Sequence, residues 1–268
     1  MDAIRVHSLS LLLAAALGFA AERAAGQSLA TRVAAVGRGS VEVRFAARPG
    51  VCGDGRSSFW IGRSMHVGNG NFGDGGNDFS TCQPGPVRAR MRVEEGRITD
   101  VRVSVGPAGR GGAPDTDLGV VPASEGAELM LRIAETTDGR AAEQAITGAV
   151  LADSVSVWRR LLGIARDSIN RSRSTRQHAR FWVGRFAASK SAGNGEDIAA
   201  ASDQGDRDDP RNSAIFALSQ LKNHEGVPPL LQVARSHRDP DLRRQALFWL
   251  GESGDPRGVA LFEEILRR

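Results

Sequence analysis

The sequence predicts an α+β protein, a small antiparallel β domain followed by an α-solenoid of paired helices. Three observations predict it. Apolar residues alternate with polar ones at period two as far as about residue 105. An apolar period near 3.6 takes over beyond about residue 119. A helical motif then recurs at a spacing of about 32 residues. More than half of the 32 glycines precede the change, which falls between Pro114 and Gly119.

Residues 1–26 have the form of a secretory signal. Arg5 supplies a short basic region, an apolar run extends from Leu9 to about Ala20, and the small residues Ala24 and Gly26 precede Gln27. Cleavage is expected after Gly26, leaving a periplasmic or secreted chain. The rest divides into a β domain over 27–118 and a solenoid over 119–268. No other stretch offers the roughly 20 apolar residues that span a bilayer, so no membrane anchor is expected. Export also changes how the cysteines read. Cys52 and Cys82, with no third cysteine to compete, are expected to form one disulfide in an oxidising compartment. Neither has a second Cys or His at the short spacing of zinc sites, and no metal is expected.

In the β domain, Val41, Val43 and Phe45 alternate with Glu42 and Arg44, the pattern of a half-buried strand. Val87, Ala89, Met91 and Val93 interleave with Arg88, Arg90 and Arg92. A turn at Glu94-Glu95-Gly96 then leads to Ile98, Val101, Val103 and Val105, which completes a hairpin. Phe59-Trp60-Ile61 adds a short strand, for a sheet of at least four. The polar, glycine-rich stretch from His66 to Asp78 reads as a loop. Within it Gly68 to Gly73 fits G-x-G-x-x-G in letters only, because no helix follows to bind a pyrophosphate. The three arginines of the hairpin share one face, which is either a solvated outer surface or an anion contact.

Helices are expected near 122–136, 140–151, 154–167, 174–188, 210–221, 225–236, 240–251 and 256–267. Trp158, Leu161, Leu162 and Ala165 form one stripe at i, i+3, i+4 and i+7. Val227, Leu230, Leu231 and Ala234 repeat it. Ala179-Arg180-Phe181-Trp182-Val183-Gly184 recurs as Ala246-Leu247-Phe248-Trp249-Leu250-Gly251, and more weakly from Ala214. Asp209-Pro210, Asp239-Pro240 and Asp255-Pro256 stand where helices should start, because Asp accepts the orphan N–H groups and Pro at the first helical position loses no bond. Ser, Gly, Asn and Asp interrupt residues 189–209, which read as either a degenerate helix or a loop.

The spacing of Asp239, Pro240, Arg243, Ala246 and Leu250-Gly251 resembles the short HEAT repeats found also in phycobilin lyases. The resemblance implies a curved stack that binds another macromolecule, here an unidentified protein partner at the cell envelope. Arg166, Arg176, Arg211, Arg235 and Arg243 are the candidate partner-binding residues. The alternative is that they cap helix ends or join ion pairs between repeats.

No catalytic set emerges. There is no Walker sequence, no G-x-S-x-G and no H-E-x-x-H, tyrosine is absent, and no cofactor is expected. His224-Glu225 is a single pair, whereas deoxyhypusine hydroxylase, a HEAT protein of similar architecture, needs several to hold iron. The net charge of +4 is spread thinly. Residues 27–118 carry 12 basic and 9 acidic side chains and residues 119–268 carry 21 and 20, so no nucleic-acid partner is expected. The alternative function is an enzyme or small-ligand binder with its site at the junction of sheet and solenoid, built from Arg48, Asp54 and Arg56 in a glycine-rich loop.

Overall fold

A computed structural model describes residues 27–56, 58–62, 65–68, 71–74, 82–108, 112–191, 198 and 210–268. The expected signal segment, Asp209 and all but Ile198 of 192–209 lie outside the described residues. In chain order, helix α1 (Leu29–Ala34) precedes strand β1 (Gly39–Phe45). The short strands β2 (Val51–Gly53), β3 (Ser58–Ile61), β4 (Met65–Gly68) and β5 (Asn71–Asp74) follow. Next come β6 (Val87–Glu94), β7 (Arg97–Val105) and β8 (Thr116–Val120). The helices α2 (Ala123–Thr136), α3 (Gly139–Leu151), α4 (Trp158–Arg166), α5 (Arg173–Ser191), α6 (Pro210–Ser219), α7 (Val227–Ser236), α8 (Pro240–Ser253) and α9 (Pro256–Arg267) complete the chain.

The period-two segments form the larger sheet, ordered β7-β6-β1-β8. β6 and β7 pair antiparallel around Glu95 and Gly96, both at positive φ, as a tight hairpin turn requires. β1 pairs antiparallel with β6, and β8 adds a parallel edge to β1. One sheet face is wholly apolar: Val41, Val43, Phe45, Ala89, Met91, Val101 and Val105 are fully buried. It packs on α2 and α3 so closely that a Cβ at Gly126 would meet the Phe45 ring at 2.3 Å.

The other face is neither bare nor simply solvated. Glu42, 6% exposed, lies between two arginines. Arg88 Nη1 donates to its Oε1 at 3.1 Å and Arg90 Nη2 to its Oε2 at 2.8 Å. Arg88 also reaches the Gly106 carbonyl and Arg90 the Gly112 carbonyl, so both of these residues after β7 lie against this face.

The second sheet is ordered β2-β3-β4-β5 and corrects the expected loop: Met65–Gly68 and Asn71–Asp74 are strands, and the G-x-G-x-x-G letters end one and begin the other. Cys52 and Cys82 are disulfide-bonded, with Cα atoms 5.3 Å apart. Gly53 and Gln83 exchange backbone hydrogen bonds at 3.0 Å beside the bridge. The two cysteine segments are therefore zipped as well as bonded.

The helices stack in two rows, and the order is not that of the sequence. α5 packs on α3, α4, α8 and α9, whereas α6 packs on α7 and α8. One row therefore runs α3, α5, α8, α6 and the other α2, α4, α9, α7. The last helix, α9, fills the place between α4 and α7. Its Phe262 is fully buried, and Gly184 makes room for it, because a Cβ there would stand 3.2 Å from the ring. α5 runs helical to Ser191. The apolar core is continuous from α1 through the sheet to α9.

Candidate interaction surface

The helix ends are built as the Asp-Pro pairs imply. Asp239 Oδ1 accepts from the Asp241 N–H at 2.9 Å, Asp255 Oδ1 accepts from the Arg257 N–H at 2.8 Å, and Gly254 closes α8 at φ 69°. Between α3 and α5 the Asp138 carboxylate accepts from the Ser172 N–H and hydroxyl and, at 2.6 Å, from the Thr175 hydroxyl. Burial opposes its charge, but these donors and the Gly139 N–H hold the Asp138 carboxyl down to about 2. Arg160 joins Glu128 and Glu135, tying α4 to α2.

Of the candidate partner-binding arginines, three are engaged within the stack. Arg166 pairs with Glu263 and Arg235 with Glu264 at 3.4 Å, both to α9, while Arg243 Nη1 donates to the His237 carbonyl at 2.7 Å. These geometries are inter-helix ion pairs and a helix cap. Arg211 lies on α6, and its side chain is outside the described ones. Arg176 differs: its Nε is enclosed without an acceptor. So is the Nε of Arg180, one turn along α5, a residue the repeat pattern did not single out. The signal was present in the sequence as basic residues at 173, 176 and 180, the i, i+3, i+7 spacing of one helix face. On another face of α5, Arg185 is 5% exposed, with Nε and Nη2 unpaired; burial first, then Arg244, holds it down to about 10.

Aromatic rings cross the stack from α5 to α6. Phe181 meets Phe248 at 6.2 Å, Phe248 meets Trp249 at 4.9 Å, and Trp249 meets Phe216 at 5.2 Å between centroids. Trp182 is core, while Trp249 is half-buried beneath Phe216, which is itself 50% exposed. A hollow of about 190 Å³ nearby is lined by Ser219, His224 and Ser253. Both hydroxyls donate to helix carbonyls, Ser219 to Phe216 and Ser253 to Leu250, so neither is placed as a nucleophile against the imidazole. A larger hollow of about 720 Å³ lies between α1, β8 and α2.

The junction residues serve the fold. Arg48 Nε donates to the Val150 carbonyl at 2.7 Å, its Nη2 to the Val155 carbonyl, and its guanidinium lies 5.5 Å from the centre of the Phe186 ring. It pins the end of β1 to the helices. Asp54 closes its own turn, accepting from the N–H groups of Arg56 and Ser58. Among the described residues no group of three or more His, Cys, Asp or Glu side chains is placed to hold a metal, and no helix is long and apolar enough to cross a membrane.

Residues 197–268 match the family model of HEAT repeats, so the C-terminal part of the chain is a HEAT repeat domain. The chain matches no curated protein and no solved structure.

Proposed function

We propose that this is an exported HEAT-repeat protein that acts as a protein-interaction or assembly module at the cell envelope. The observation that carries the interaction reading is the HEAT repeat domain itself, because such repeats present extended surfaces made of exposed helix faces to macromolecular partners. The exposed Phe216 over Trp249 supports it, since aromatic side chains at a surface are the usual anchors of protein interfaces. Export rests on the signal-like residues 1–26 and is supported by the Cys52–Cys82 disulfide, a bond that persists under oxidising conditions.

Affinity purification from the envelope fraction tests the reading, with identification of what co-purifies at low and at high salt. A specific partner retained at both is the expected result. Absence of any partner at either salt, or retention of the whole protein in the cytoplasm with residues 1–26 attached, overturns it.

A further inference from the structure

The half-buried arginines of the sheet and of α4 are matched by carboxylates: Arg88 and Arg90 by Glu42, Arg160 by Glu128 and Glu135. Helix α5 departs from this rule. Arg173, Arg176 and Arg180 lie on one face and span about 10 Å along the axis, at roughly 1.5 Å per residue. Among the described residues no ion pair involves any of the three, and the Nε groups of Arg176 and Arg180 are enclosed without acceptors. Burial, then the charges of Arg176 and Arg173, lower the proton affinity of Arg180, so the guanidinium groups act on one another as uncompensated like charges. The row begins at the N-terminal turn of a 19-residue helix, whose dipole adds to the positive potential. It ends at the turn between α8 and α9, where a Cβ on Gly254 would stand 3.5 Å from Arg180 Nη1.

An enclosed donor without an acceptor is destabilising, and adjacent like charges add to that cost. Binding an anion at the terminal guanidinium nitrogens offsets the like-charge repulsion. The surroundings decide which anion. With 21 basic and 20 acidic side chains, residues 119–268 carry almost no net charge, whereas a phosphate polymer is held by a large positive excess. A short line of carboxylates fits better. Residues four apart on a helix are about 6 Å apart along its axis, and alternate residues of a strand about 6.7 Å, both close to the 176-to-180 separation.

We propose that Arg173, Arg176 and Arg180 form a docking site for a short acidic segment, rich in Asp or Glu, of a partner protein. The proposal rests on the interaction reading and assigns it a partner chemistry. Carboxylates from such a segment accept hydrogen bonds from the terminal nitrogens of the guanidinium groups.

A fluorescently labelled oligoglutamate peptide, titrated onto the full chain by anisotropy, tests it, with an oligoglutamine peptide and a DNA oligonucleotide as comparisons. The oligoglutamate peptide should bind, and more weakly as salt rises. Arg176→Gln/Arg180→Gln should lose about tenfold or more in affinity, while Arg235→Gln, whose arginine pairs with Glu264, should stay within about twofold. Equal loss in both variants, equal binding of the glutamine peptide, or tighter binding of the DNA overturns the proposal. Should the double variant fail to fold, Arg173→Gln at an exposed position decides: weakened peptide binding sustains the site and unchanged binding overturns it. Peptide binding needs neither export nor a co-purifying partner. A partner that co-purifies equally with the double variant therefore overturns this site and leaves the interaction reading standing, whereas intact peptide binding with nothing co-purifying overturns that reading and leaves the acidic-segment site standing.

Discussion

Trp182 Nε1 donates a hydrogen bond to His178 Nε2 at 3.2 Å, one turn back along α5, and the Thr147 hydroxyl of α3 lies 2.9 Å from the same nitrogen. A nitrogen that accepts from the indole cannot also carry a proton. Burial pushes the His178 imidazole down to about 4, with the Glu143 carbonyl opposing the shift. Because the folded value lies below that of a free histidine, the unfolded chain takes up its proton first as pH falls. Stability is therefore full above about pH 6.5 and is lost between about 6.5 and 4, by up to about 3 kcal/mol. Melting temperature followed across this range should show that slope, and His178→Gln should flatten it. An unchanged slope in the variant excludes this residue as its source.

Glu42 offers a second test, at the outer face of the sheet. Glu42→Ala leaves Arg88 and Arg90 facing each other without their shared carboxylate. Removing one member of a largely buried ionic cluster costs about 3 kcal/mol. Urea unfolding should show a loss of that order, and a loss below about 1 kcal/mol would mean that solvent compensates the pair.

Two helical glycines should respond with opposite signs. Gly126→Ala drives a methyl into the Phe45 ring at the sheet–helix contact and should destabilise by about 1–3 kcal/mol or more. A Cβ at Gly163, on the exposed side of α4, has nothing within 4 Å, so Gly163→Ala should gain up to about 1 kcal/mol of helix propensity. Thermal melts of the two variants should bracket the wild type.

The disulfide closes a loop of 30 residues around three of the four strands of the second sheet. Cys52→Ser/Cys82→Ser should cost about 3–4 kcal/mol on chain-entropy grounds. Native-state proteolysis should then cut first within residues 53–81. Cleavage first among the helices would show that this sheet holds without its bridge.

Much of the architecture is legible where its cause is local. The hairpin of β6 and β7 and the Asp-Pro helix starts follow from residues a few positions apart, and the bounds of α2 to α9 fall within a few residues of the apolar periodicity. β4 and β5 are not legible because each has only four residues, β4 ending in Gly and β5 rich in Asn, Gly and Asp, and each is held by neighbours rather than by propensity. The stacking order was hidden for a related reason: repeats record how a helix pairs locally, whereas the seating of Phe262 against Gly184 is a match between residues far apart in the chain. The arginine candidates divide similarly. Spacing placed Arg166 and Arg235 at equivalent points of two helices, but their partners, Glu263 and Glu264, belong to a helix from another part of the stack. Arg173 and Arg180 share a helix face by spacing alone; what spacing cannot supply is that, among the described residues, neither has an ion-pair partner.

The position of α9 between α4 and α7 bears on how the protein is made. Helix α5 leaves the ribosome well before residues 256–267, yet the side chain that fills its Gly184 notch is Phe262. Until that helix arrives, the nascent chain exposes an apolar slot flanked by α4 and α8, the kind of surface that chaperones bind and that promotes aggregation. Maturation of these repeats therefore includes the insertion of a wedge into their middle, so the stack cannot grow one unit at a time as it is synthesised.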